Sequence, residues 1–376
     1  MINPFLNSLD TRIDSMLESP MEEDVFESAA DQRTLEEEDY HTLIDSVHAL
    51  FIHQMENIEE DTSPKEYCFG PHARGVWRIL PMGPYRIASA SYDHQAGIWN
   101  VDPSNKEAPL ILSAHRGEVL SLASPDSATL ITGSSDGSMC LWNAQTGKLV
   151  SHFGEPKKRT TGFYSLALIG QATIATGACQ KPRKVRKEWK HVIKVWNFHT
   201  CRQLCVLEGH AGGIAALNAF QPGFLASASA DKAISIWNTT SYRLIHSLFG
   251  HKEYIYALTS LDSNCLVTGS KDRTIRLWDV SQGTEVGQFR MLNSMEAHAS
   301  TIYDVAKFQE HLVLSASRDG YVKIWDSRTL KSVRTFSREG SFIYSVAPLA
   351  ENRIAAGTCE NGKKGQEKGE IIVWEL

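Results

Sequence analysis

From residue 64 onward the chain alternates apolar and polar positions in short runs, with turn residues between the runs. Residues 254–289 show the pattern: YIYALTS, CLVTGS, TIRLWDV and EVGQF read as four strands, and Asp272 with Arg273 reads as the tight turn between the second and third. The third strand of each unit ends on a tryptophan: Trp99, Trp142, Trp196, Trp237, Trp278, Trp325 and Trp374, at spacings of 43, 54, 41, 41, 47 and 49. Five units carry a histidine 27 positions before that tryptophan: His72, His115, His210, His251 and His298. The same five carry an aspartate six positions before it (Asp93, Asp136, Asp231, Asp272, Asp319) and a serine eight before it (Ser91, Ser134, Ser229, Ser270, Ser317). A four-stranded sheet this small cannot bury both faces alone, so the units are predicted to stack as a radial array.

This repeat resembles the WD-repeat (tryptophan–aspartate) β-propeller family, over residues 64–376. Trp-Asp itself stands at Trp278-Asp279 and Trp325-Asp326, four units use Trp-Asn, and Gly-His stands at Gly209-His210 and Gly250-His251. The resemblance implies an all-β, seven-bladed propeller of four-stranded antiparallel blades. It further implies a hydrogen-bonded tetrad of His, Ser/Thr, Asp and Trp in each complete unit. Units three and seven lack the His and Asp, so their tetrads are expected to be broken.

The chain ends two residues after Trp374, so the seventh unit has no fourth strand of its own. Residues 65–72, KEYCFGPH, align with RLIHSLFGH before His251. Residues 65–70 are therefore expected to complete the last blade, leaving no open sheet edge at the ring's closure.

Charge divides the chain in two. Residues 1–62 hold 17 Asp or Glu against two Arg, a net of -15, whereas the remainder has 27 acids and 36 bases, a net of +9. Residues 1–63 are read as an acidic arm with one or two amphipathic helices. Leu43, Val47, Leu50, Phe51, Met55 and Ile58 mark one helical face, and Phe5, Leu6, Leu9, Ile13 and Leu17 mark a weaker one. No run of eighteen apolar residues exists, so no membrane span is expected, and the opening residues do not read as a signal peptide. Seven cysteines without CxxC spacing read as reduced thiols, which suits a cytoplasmic or nuclear protein.

Five His–Asp–Ser sets at blade period describe structure, since a catalytic triad occurs once, at a cleft. GxxxxGK[ST] and HExxH motifs do not occur, and no enzyme activity, metal or cofactor is expected. The deviations from the repeat carry the candidate chemistry. Unit three inserts QKPRKVRKEWKH, with Lys181, Arg183, Lys184, Arg186, Lys187 and Lys190, and the loop entering it adds Lys157, Lys158 and Arg159. The family's topology puts these on one rim of the top face. Such a cluster reads as a solvated loop, as a dock for an acidic partner or for the acidic arm, or as a nucleic-acid contact.

The second residue of strand one is Trp77, Tyr164, Tyr256, Tyr303 and Tyr344 in five units, and Leu120 and Ala215 in two. The residues before the turn aspartate are Tyr92, Ser135, Ala230, Lys271 and Arg318. Placed by the resemblance around the top mouth of the channel, these aromatics and cations read as a protein-binding surface, with blade packing as the competing explanation. Residues 313–328, VLSASRDGYVKIWDSR, also resemble the box of WD-repeat substrate receptors of cullin-type ubiquitin ligases, in which Arg328 would contact the adaptor. The function expected is a scaffold or adaptor for a protein or peptide partner. The alternative is a nucleic-acid-binding propeller using the basic loop of unit three.

Overall fold

Strict alternation lets each strand offer one face to each neighbouring blade, and the propeller is built on that property. A computed structural model describes residues 64–105, 107–155, 160–180, 190–280, 290–350, 352–360 and 368–376. The arm, residues 1–63, and its expected helices lie outside the described residues. The described residues form seven sheets, each of four antiparallel strands, and contain no helix.

The innermost strands, in order, are Val76–Gly83, Val119–Asp126, Thr160–Gly170, Ile214–Gln221, Ile255–Ser260, Ile302–Lys307 and Ser341–Leu349. They begin blades one to seven and surround the central channel. Blade seven takes its outermost strand from Glu66–His72, which runs antiparallel to Gly369–Glu375 in the register Glu66↔Trp374, Tyr67↔Val373, Cys68↔Ile372 and Phe69↔Ile371.

The core lies between blades. Leu130, Cys140 and Trp142 of blade two pack on Ala88, Ala90 and Ile98 of blade one. Across the ring closure, Val76, Ile87 and Trp99 of blade one pack on Ala355, Ile371 and Val373 of blade seven. The blades approach closely: a Cβ on Gly269 would come within 2.6 Å of Ile302 in the next blade.

All seven innermost strands share an irregularity at the same place, and four of them carry others besides. The register with the second strand slips between Val76 and Arg78, Val119 and Ser121, Phe163 and Ser165, Ile214 and Ala216, Ile255 and Ala257, Ile302 and Asp304, and Ile343 and Ser345. The extra residue in each bulge is Trp77, Leu120, Tyr164, Ala215, Tyr256, Tyr303 or Tyr344. A bulge takes one residue out of the ladder and re-aims its side chain.

Candidate interaction site at the channel mouth

The top face carries the turns between second and third strands and the loops entering each innermost strand. Two sets of bonds hold these together. The residue before each turn aspartate donates its backbone N–H to the entry loop: Tyr92 to Gly75 O at 3.1 Å, Ser135 to Glu118 O at 2.8 Å, Ala230 to Gly213 O at 2.8 Å, Lys271 to Tyr254 O at 2.9 Å and Arg318 to Thr301 O at 2.9 Å. The aspartate then accepts from the entry loop, as Asp272 Oδ2 does from Lys252 N at 2.9 Å, and Oδ1 accepts from Thr274 N at 3.0 Å. The turn requires a left-handed residue after the aspartate, supplied by Gly137 and Gly320 in two blades and by His94, Lys232 and Arg273, at φ 71–73°, in three.

Behind each of these turns runs a polarised chain of hydrogen bonds. In blade five Trp278 Nε1 donates to Thr268 Oγ1 at 2.8 Å, and Thr268 pairs with His251 Nε2 at 2.7 Å. His251 Nδ1 meets Asp272 Oδ2 at 2.8 Å. The carboxylate can only accept, so His251 Nδ1 carries a proton toward Asp272. Burial holds the His251 pKa below its ordinary value, against the pull of Asp272. Burial raises the carboxyl of Asp231 in blade four, but the bond from His210, its charge and the N–H groups of Ala233 and Ala211 outweigh it and hold the group at about 2.

The hydroxyl in this chain is a correction to the sequence reading. It belongs to the residue ten positions before the tryptophan: Ser89, Thr132, Ser227, Thr268 and Ser315. The serines eight positions before it have another task. Ser91, Ser229 and Ser270 donate to entry-loop carbonyls and accept the N–H of the turn aspartate.

The two units without His and Asp substitute ion pairs. In blade three Glu155 stands at the histidine's place, and the fully buried Lys194 reaches it at 2.7 Å. Thr176 Oγ1 and Trp196 Nε1 are buried there without a hydrogen-bond partner. In blade seven Arg338 takes the histidine's place and bonds Glu66 at 2.7 Å and Glu370 at 2.9 Å. Trp374 Nε1 donates to Glu66 Oε2 at 3.2 Å, so the strand that completes the blade also completes its polar network.

On this frame five of the expected aromatics form one continuous chain of rings. Tyr256 lies 5.5 Å from Tyr303, Tyr303 4.9 Å from Tyr344, Tyr344 5.0 Å from Trp77 and Trp77 5.5 Å from Tyr92, centroid to centroid. All five are half-buried. Tyr164, at 40% exposure, is more open to solvent than any of them. The arc is one-sided, running from blade five through six and seven to blade one, while blades two and four offer only Leu120 and Ala215. Burial pushes the phenols of Tyr92, Tyr256 and Tyr303 above their ordinary range, so these three rings carry no charge at neutral pH.

The two expected cations join the same arc. Lys271 Nζ lies 5.2 Å from the ring centroid of Tyr254, and the Arg318 guanidinium 5.0 Å from that of Phe342. Tyr254 and Phe342 were not singled out from sequence, although each precedes a mouth tyrosine by two positions, the period that returns a strand residue to the same face.

Four stretches, residues 107–143, 201–238, 242–279 and 289–326, match the family model described as WD domain, G-beta repeat. These four stretches are WD repeats, set within the seven-bladed propeller. Over 168 residues it is also 24% identical to pre-mRNA-processing factor 19 homolog 2 of Arabidopsis thaliana, a match that takes in 43% of this chain and 29% of that protein's length.

The remaining expected sites of this WD-repeat propeller lie elsewhere. Arg328 follows a third strand on the opposite, bottom face, where its guanidinium turns back to Asp326 at 3.4 Å and remains 37% exposed. Of the basic residues in blade three, Lys157, Lys158, Arg159, Lys181, Arg183, Lys184, Arg186 and Lys187 lie outside the described residues. Lys190 opens a third strand, and its Nζ meets Glu208 at 2.6 Å. Among the described residues no group of His, Cys, Asp and Glu could hold a metal ion, and no helix is long and apolar enough to cross a membrane.

Proposed function

We propose that this propeller is a non-enzymatic scaffold that binds a protein or peptide partner across the aromatic arc of its top face. The unbroken chain of rings from Tyr256 to Tyr92 carries the reading. Neutral aromatics with cations at their rim, on a frame that hydrogen bonds hold still, have the composition and rigidity of binding hot spots. The histidines are spent: His72, His210, His251 and His298 are buried between an aspartate and a hydroxyl. Of the two expected compartments, the match to a pre-mRNA-processing factor favours the nucleus as the place to seek the partner.

Photocrosslinking tests the proposal. A benzophenone amino acid at Tyr256, in cytoplasmic and in nuclear extract, is expected to capture a defined protein, and the same group at Arg328 is the bottom-face control. Capture from Arg328 alone would move the interface to the bottom face and favour the ligase-receptor reading.

A further inference from the structure

The charges along the arc specify the partner more closely. Resting on the top-face reading above, we infer that the bound segment is an acidic peptide with an apolar centre, extended along the mouth from blade five to blade one.

Three cations follow that path. Lys271 projects over Tyr254, Arg318 over Phe342, and Arg74 Nη1 donates to the backbone oxygen of Tyr92 at 3.4 Å. Among the described residues no carboxylate lies within 4 Å of any of the three, whereas Lys232 of the top face meets Glu253 at 3.8 Å and Arg338 is held between Glu66 and Glu370. The aspartates that follow Lys271 and Arg318 in sequence do not fill this role. Asp272 and Asp319 turn inward, only 6% and 9% exposed, and bond His251 and His298. The arc thus keeps its positive charge directed outward.

A ligand matching these cations carries its carboxylates toward its ends, over Lys271 and Arg318 on one side and Arg74 on the other, and its apolar residues over the rings of Tyr303, Tyr344 and Trp77. Trp77 also lies 5.9 Å from Tyr303 and Tyr92 6.0 Å from Tyr344, so the rings cluster around Tyr344 and about four to five extended residues cross them. Peptide suits these rings better than nucleic acid. Their planes meet at 46° to 64°, edges against faces, so the rings pack on one another and present no stack of parallel faces to successive bases.

The probe is a random twelve-residue peptide library displayed on phage and panned against the full chain, with binding of enriched sequences measured by fluorescence anisotropy. Enrichment of Asp or Glu beside Leu, Phe or Tyr is expected. The Lys271→Glu/Arg318→Glu variant should raise Kd at least tenfold with its melting curve unchanged, while Glu118→Lys should not weaken binding. Neutral or basic peptides that ignore the charge reversal but lose affinity in Tyr256→Ala would overturn the acidic assignment and leave the top-face reading standing. If no peptide is enriched, whether or not a single-stranded RNA oligonucleotide binds instead, both fail.

Discussion

Arg78 and Asp304, 226 residues apart in sequence, meet in the central channel with Nη1 2.6 Å from Oδ1. The second carboxylate oxygen accepts Ser345 Oγ at 2.8 Å and Val346 N at 3.1 Å, and Ser345 Oγ in turn accepts Ile79 N at 3.0 Å. One acid therefore joins blades six, seven and one beneath Tyr303, Tyr344 and Trp77, the residues that directly precede Asp304, Ser345 and Arg78.

Asp304 is 5% exposed, so Asp304→Ala strands a guanidinium and two further donors. Chemical denaturation should report a loss of about 3 kcal/mol, the scale for breaking a buried pair from one side. Adding Arg78→Leu should recover part of it, and strict additivity of the two losses would deny the coupling.

Thr268→Val keeps the shape of the side chain but leaves Trp278 Nε1 and His251 Nε2 unbonded inside blade five. The expected cost is about 1–3 kcal/mol. Lys190→Ala removes a pair whose partners are 54% and 57% exposed, and its cost should stay below about 1 kcal/mol. Equal costs would mean that the buried chain contributes no more than a surface contact.

Acid should unfold the propeller through the same chains. Asp231 is held at about 2, below its unfolded value near 4, so its contribution is complete above pH 4 and disappears as pH falls toward 2. His251 is depressed by burial, so the stability it contributes is complete above its unfolded value near 6.5 and declines as pH falls through its folded value. Stability measured from pH 7 to 2 should fall in both windows, and Asp231→Asn should flatten the lower one.

Ring closure can be tested by truncation. A chain of residues 72–376 keeps His72 but lacks Glu66, Tyr67 and Phe69, and so loses the carboxylate that joins Arg338 to Trp374. It should melt roughly 10 °C below residues 64–376, the shift that several kcal/mol produces in a domain of this size. Coincident melting curves would show that the strand contributes nothing to the last blade.

The propeller was legible in the sequence because its signals recur at fixed spacing: the tryptophans, the turn aspartates and the residues that became the mouth. The tetrad hydroxyl was not. Ser89 and Ser91 are one strand period apart and share a face, so alternation alone cannot choose between them. The ion pair of blade three was hidden for a related reason. Lys194 sits between Ile193 and Val195, where a polar residue reads as solvent-facing, and its partner Glu155 is supplied by a distant loop. The bulges were also invisible, since a register slip is a relation between two strands. They explain why Trp77 and Arg78, neighbours in sequence, both serve the channel.

Because the bulged residue of each innermost strand is already outside the ladder, its identity is not tied to sheet pairing. Trp, Leu, Ala and Tyr all occupy this position on the same backbone irregularity. The ring therefore presents seven exchangeable slots on a fixed frame. Recognition could be rewritten by swapping those slots, blade by blade, while the architecture beneath stays as it is.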